Sequence, residues 1–180
     1  MEIRNLLKYV KKNLPIFLII IMAAAIRVIP HPPNFAPIGG LALFSGAYLK
    51  DKRAFVIPLG AMIISDLIIG LHDTMIYVYV SFGLIVIIGS YLRKNQHWEN
   101  ILGATLISSI LFFVITNFGV WASSEMYAHT ASGLRQAYVM AIPFFRNTVL
   151  GDVVYSLSFF YGYRLIMLMD KNLALSKARK

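Results

Sequence analysis

Six apolar runs, separated by short polar connections, fill most of this 180-residue chain. They lie at roughly 14–29, 36–49, 54–71, 75–92, 100–121 and 146–168. A helix that crosses a bilayer needs about 20 mostly apolar residues, and fewer where protein packs around it. Hydrophobic residues make up 58% of the chain and charged residues only 14%. A soluble domain carries about 45–50% and about 25%. A chain this short cannot cover so much apolar surface in water, but in lipid the surface needs no cover. The expected fold is all-α, an integral membrane bundle of six transmembrane helices forming a single domain over 1–180. A further apolar stretch, 135–145, ends at Ile142-Pro143. It is too short to span and reads as a short re-entrant or interfacial helix before the last span.

The basic residues orient the bundle. With the N-terminus in the cytoplasm, the inner segments hold Arg4, Lys8, Lys11 and Lys12, then Lys50, Lys52 and Arg53, then Arg93 and Lys94, and finally Lys171, Lys177, Arg179 and Lys180. The outer connections 30–35, 72–74 and 122–134 contain no Lys or Arg. Cytoplasmic loops are the ones that carry excess Lys and Arg. The expectation is a multi-pass protein of the bacterial inner membrane with both termini cytoplasmic. The net charge of +9 therefore serves topology, and no nucleic-acid partner is expected. The first run has a basic start but Arg27 follows Ala23–Ala25 where a cleavage site would stand, so it reads as a span, not a removed signal.

Several chemistries are excluded early. There are no cysteines, hence no thiolate metal site and no cysteine nucleophile. No HExxH, GxSxG or Walker sequence is present. Asp66 and Asp152 would have to share a site to act as an intramembrane acid pair, and nothing flanking them supports it. An enzyme is not expected, nor a bound cofactor.

Polar residues inside apolar runs are the candidate site. In this orientation Arg27, Asp66 and Asn117 lie near the outer ends of the first, third and fifth spans. Arg146 and Asn147 open the sixth on the same side, and Asp152 lies about 9 Å deeper. Charges at such depth are costly, face the bundle interior and pair there. Arg27, Asp66, Asn117 and Arg146 collect at one depth on one side, which points to an outward-facing pocket beyond mere locking of helices, whereas Asp152 suits either role. His31, His72 and His129 also fall in outer loops, without the spacing of a metal site. Ser109, Phe113, Asn117 and Trp121 share one helix face. The aromatics Tyr77, Tyr79, Tyr127, Phe144 and Phe145 read as an interfacial belt. Ala42 and Gly46 form a small-xxx-small pair, so the second helix must pack tightly against a neighbour, in this chain or another.

The segment RVIPHPPNFAPIGG, residues 27–40, joins these features. Pro30, Pro32 and Pro33 cannot continue a helix and push the residues before them into extended backbone. A stiff outer loop bearing His31 and Asn34 thus stands over Arg27, as a lid or wall would. The substrate-contacting set expected from the residues is Arg27, His31, Asn34, Asp66, His72, Asn117, Trp121, Arg146, Asn147 and Asp152.

The runs RVIPHPPNFAPIGGLALFSGAYL, PLGAMIISDLIIGLH, TNFGVW and AIPFFRNTVLGDVVYS resemble a bacterial DUF6580-like family of uncharacterised membrane proteins described as transport proteins. More distantly, the layout resembles the S components of energy-coupling-factor (ECF) transporters, six-helix proteins with both termini inside and an "xIPF" turn before the last span, here Ala141-Ile142-Pro143-Phe144. That resemblance implies uptake of a vitamin-like small molecule or a transition metal, bound at the outer side; cobalamin is one candidate ligand, since His72 or another outer histidine could coordinate cobalt. It also implies a coupling membrane subunit with ATPases as partner, beside the lipid bilayer. One departure is that the first span carries Ala23-Ala24-Ala25 and not the Ala-xxx-Ala pattern that docks such a subunit. The alternative is a non-transport membrane scaffold for cell-envelope assembly, with partners docking on the Ala42 and Gly46 face.

Overall fold

In the computed structural model, residues 19–178 are described, with side chains to Met169. Residues 14–18 of the first expected span, and the basic residues Arg4, Lys8, Lys11, Lys12, Arg179 and Lys180, lie outside the described residues. Among the described residues there are six helices and no strand: α1 Ile19–Val28, α2 Ile38–Tyr48, α3 Arg53–Ile69, α4 Met75–Tyr91, α5 Trp98–Ser123 and α6 Ala131–Ala178.

α2 is the axis of the molecule. It has only 11 residues, about 16 Å, half the hydrocarbon thickness of a bilayer. Nine of them are buried, so α2 is enclosed by its neighbours. It packs against α3, α4, α5 and α6. Its glycines explain how so many neighbours fit. A Cβ on Gly46 would lie 2.0 Å from the Val86 carbonyl oxygen of α4, and one on Gly89 of α4 would lie 2.2 Å from the Leu43 oxygen. The two backbones therefore touch directly. On α6, a Cβ at Gly40 would lie 2.6 Å from the Ser156 nitrogen. The small-residue face is thus consumed within this chain.

α2 also repairs α3. Pro58 stands inside α3 and cannot donate to the Ala54 carbonyl four residues back. The Ser45 hydroxyl donates to that oxygen instead, at 2.7 Å. Serine hydroxyls commonly take over backbone groups freed by proline in apolar surroundings. At the start of α3, Asp51 accepts from the Arg53 side chain and backbone N–H. Those hydrogen bonds hold its carboxyl below the usual carboxylate range.

The stretch 135–145 is not a separate re-entrant helix, which corrects the expectation from sequence. It is continuous with 146–168 in α6, a helix of 48 residues. No turn forms at Ile142-Pro143. Pro143 gives up one hydrogen bond, to Val139, but it lies on the exposed side of α6. On the other side Ala137, Ala141, Thr148, Asp152 and Ser156 form one buried stripe running past it. Packing on both sides of the proline overrides its local preference.

The connections sort to two ends of the bundle. Residues of the 29–37, 70–74 and 124–130 connections line one cavity at one end. At the other end Arg93 donates to the Gly46 and Leu49 carbonyls, and Arg164 donates to the Gln96 carbonyl. The exterior is apolar: Leu67, Ile76, Ile107, Ile110 and Leu165 are all more than half exposed. The interior holds Ser45, Ser65, Asp66, Ser81, Thr105, Ser109 and Asp152. One described helix, α5, is long and apolar enough to cross a membrane.

Gly46→Ala is expected to lower stability by about 1–3 kcal/mol, since its Cβ meets backbone that cannot yield. Gly103→Ala, where a Cβ meets nothing within 4 Å, is expected to stabilise by about 0.5–1 kcal/mol. Thermal unfolding of the detergent-solubilised variants checks both. Equal effects would contradict the α2–α4 contact.

Candidate functional site

The cavity at the loop end has a volume of about 580 Å³. Ligand pockets usually enclose about 300–1,000 Å³ and are mostly apolar with a few placed polar groups. Here the apolar wall comes from Met62, Phe82, Phe112, Phe113, Met140 and Phe144. Arg27, His31, Asn34, His72, Asn117 and Asp152 supply the polar groups expected from sequence. Thr74, Thr116 and Thr148 join them.

Arg27 is held by α3. Its Nη1 donates to Ser65 Oγ and Asp66 Oδ1. Asp66 does not itself line the cavity. It is 1% exposed, and its second oxygen accepts from the Tyr79 hydroxyl at 2.8 Å. Both carboxylate oxygens are therefore satisfied, and the remaining guanidinium donors of Arg27 have no partner among the described residues. Asp66 is thus a positioning residue for Arg27 and balances its charge. Tyr79 was expected in the interfacial belt. Its pairing was recoverable, because α3 and α4 form an antiparallel hairpin and the two residues stand almost equally far from the 70–74 turn.

Asp152 lies deeper, 6% exposed. Its Oδ2 accepts from Ser109 Oγ of α5 at 2.7 Å. Its Oδ1 rests against α2, where a Cβ on Gly39 would stand 2.0 Å away. Only glycine leaves room for the carboxylate there. Ser109 lies about 21 Å along α5 from Ser123, so Asp152 sits near the middle of that helix. Asp66 and Asp152 have different partners and form no acid pair.

The proline loop is fixed by local geometry. The Phe35 N–H donates to the Pro32 carbonyl at 3.0 Å, and Asn34 has φ 63°. Pro at the second position and a positive φ at the third are the marks of a type II turn. Asn tolerates that backbone better than most residues. Asn147 Nδ2 donates to the Pro33 carbonyl at 3.0 Å and so ties the loop to α6.

Three expected site residues do not line the cavity in addition to Asp66. Asn147 holds the loop from outside. Arg146 is exposed on α6 and forms no ion pair among the described residues. It also does not open a helix, since α6 begins fifteen residues earlier, at Ala131. Trp121 donates its indole N–H to the Ala128 carbonyl at 3.0 Å and stacks edge-on with His129, closing the 124–130 loop. The face shared by Ser109, Phe113 and Asn117 does reach the site, and only its last member turns away. His31 and His72 use Nδ1 on the Ile29 carbonyl and the Thr74 hydroxyl. Among the described residues no three His, Asp or Glu side chains gather to hold a metal ion.

The sequence profile of DUF6580, a family of unknown function, matches residues 8–174. The chain belongs to this family. No curated protein matches it, and no solved structure does. The DUF6580 match takes in every residue named above as lining the cavity.

Breaking the Arg27–Asp66 pair leaves a buried charge uncompensated, a loss of about 3–5 kcal/mol. Arg27→Met is expected to destabilise on that scale, and Arg27→Met with Asp66→Leu to recover most of it. Thermal unfolding in detergent measures both. A double variant no more stable than Arg27→Met would refute the pairing.

Proposed function

We propose that this chain is a six-span protein of the bacterial inner membrane that captures a small organic molecule from outside, in the manner of an S component. The cavity carries this reading: an apolar chamber of about 580 Å³ with Arg27, Asn117 and Asp152 on its wall. Its mouth is formed by the connections without Lys or Arg, which the positive-inside rule places outside. The apolar exterior, with Leu and Ile exposed while Ser, Thr and Asp are buried inside beside an apolar core, favours lipid around the bundle. α2 falls short of a full crossing by itself but is wrapped by its neighbours, as short segments at membrane depth must be.

The volume favours a compact, drug-sized ligand over a corrinoid such as cobalamin. A bare transition metal is disfavoured by the lack of a gathered ligand set among the described residues. Energy from a coupling subunit with ATPases fits the S-component likeness, but Ala23 and Ala24 of α1 are buried in this chain's own core and are not offered for docking. The scaffold reading loses its named surface for the same reason, since Gly46 is spent on α4.

Two measurements test the proposal. Mass spectrometry of the detergent-purified protein is expected to find a retained small molecule in wild type and none in Thr116→Trp, which fills the cavity. An empty wild-type protein that co-purifies with envelope proteins would favour the scaffold. The absence of native cysteine permits single-cysteine mapping. Asp73→Cys and Ser132→Cys are expected to react with an impermeant maleimide on intact cells, and Asp51→Cys and Asn95→Cys only after permeabilisation. The reverse pattern would put the cavity mouth in the cytoplasm.

A further inference from the structure

We infer that the ligand of this cavity is a compact organic cation with an aromatic or aliphatic body, recognised by Asp152. The inference rests on the capture reading above and names its substrate class. The charge count of the wall decides it. Arg27 lines the cavity, but its charge is balanced in contact by Asp66. His31 and His72 are engaged locally, on the Ile29 carbonyl and the Thr74 hydroxyl. Asp152 is the one charged group of the wall without an opposite charge beside it among the described residues. Arg135 and Arg146, on the same helix, are exposed and do not line the cavity.

A carboxylate 6% exposed in an apolar wall is costly unless something compensates it. Ser109 occupies Oδ2. Oδ1 receives no hydrogen bond among the described residues, and Asp152 still lines the cavity. A protonated amine or similar cation completes that site, as an opposite charge and as a donor. The aromatic rings of Phe112, Phe113 and Tyr127 on the same wall suit a cation as well, through their negative faces.

The mouth points the same way. In a chain of net charge +9, the outer connections carry Asp73 and Glu125 and no Lys or Arg. Both acids are exposed, each beside a residue that lines the cavity. Such an entrance raises the local concentration of cations and repels carboxylates.

The test uses three probes of one size, phenethylammonium, 2-phenylethanol and 3-phenylpropionate, titrated calorimetrically into the full-length protein in detergent. Phenethylammonium is expected to bind at least about 10-fold more tightly than the other two, the scale of a hydrogen bond to a charged group. Asp152→Asn keeps an acceptor for Ser109, so it is expected to retain the ligand-free unfolding temperature while losing that preference. Thr116→Trp is expected to abolish binding of all three, which separates the cavity from the micelle. Equal binding of 2-phenylethanol, or tighter binding of 3-phenylpropionate, would overturn the cation class and leave the capture reading standing. A cation preference that survives Asp152→Asn would overturn Asp152 as the recogniser. Failure of all three probes would overturn the inference, with capture then judged separately by the co-purified molecule.

Discussion

Everything in this fold hangs on how closely helices can approach α2. Gly46 against Val86, Gly89 against Leu43 and Gly40 against Ser156 are contacts of backbone on backbone. They let one short helix sit at the centre of four others. The same closeness brings Asp152 to Gly39 and so fixes the floor of the cavity. Interhelical hydrogen bonds reinforce this intimate packing. The Ser45 hydroxyl on the Ala54 carbonyl is one such bond, and it makes a proline in α3 tolerable.

The buried polar groups divide into two kinds. Arg27, Asp66, Ser65 and Tyr79 form a closed network in which each carboxylate oxygen has a donor. Networks of this type hold elements in register, here α1 to α3 to α4. Asp152 and Ser109 form an open one, with a carboxylate oxygen left to the chamber. The closed network builds the wall, and the open one gives it chemistry. Sequence position alone does not separate them, because Asp66 and Asp152 both look like acids in apolar runs.

Much of the architecture was legible because hydropathy and turn chemistry are local. The six runs, the rigid proline loop and the tight packing of Ala42 and Gly46 follow from residue types and spacing. Of the four residues clustered at one depth, Arg27 and Asn117 line the cavity and Asp66 and Arg146 do not, while Asp152, set deeper, does. What failed was non-local. Pro143 looked like a break, but the buried stripe from Ala137 to Ser156 lies on two sides of it, and a stripe that long is visible only when α5 and α2 are in place. Trp121, Arg146 and Asn147 had the right depth but the wrong azimuth. Their directions depend on the register between helices, which no single run encodes. Tyr79 was missed because its role lies across a hairpin.

α6 is one rod from the cavity mouth to the opposite end of the bundle, but it has a joint. Below Pro143 its hydrogen-bond ladder is whole through Asp152 to Arg164, whose guanidinium holds the Gln96 carbonyl. At Pro143 one rung is missing, and a helix bends most cheaply there. Ala137, Met140 and Ala141 lie on the mouth side of that joint, and Thr148 and Asp152 on the other. Above the joint, the Tyr138 hydroxyl on the Val114 carbonyl fastens the outer wall of the chamber to α5. A bend at Pro143 would part the mouth from the far end of the bundle, each half of the rod being anchored by its own hydrogen bond, Tyr138 on Val114 and Arg164 on Gln96.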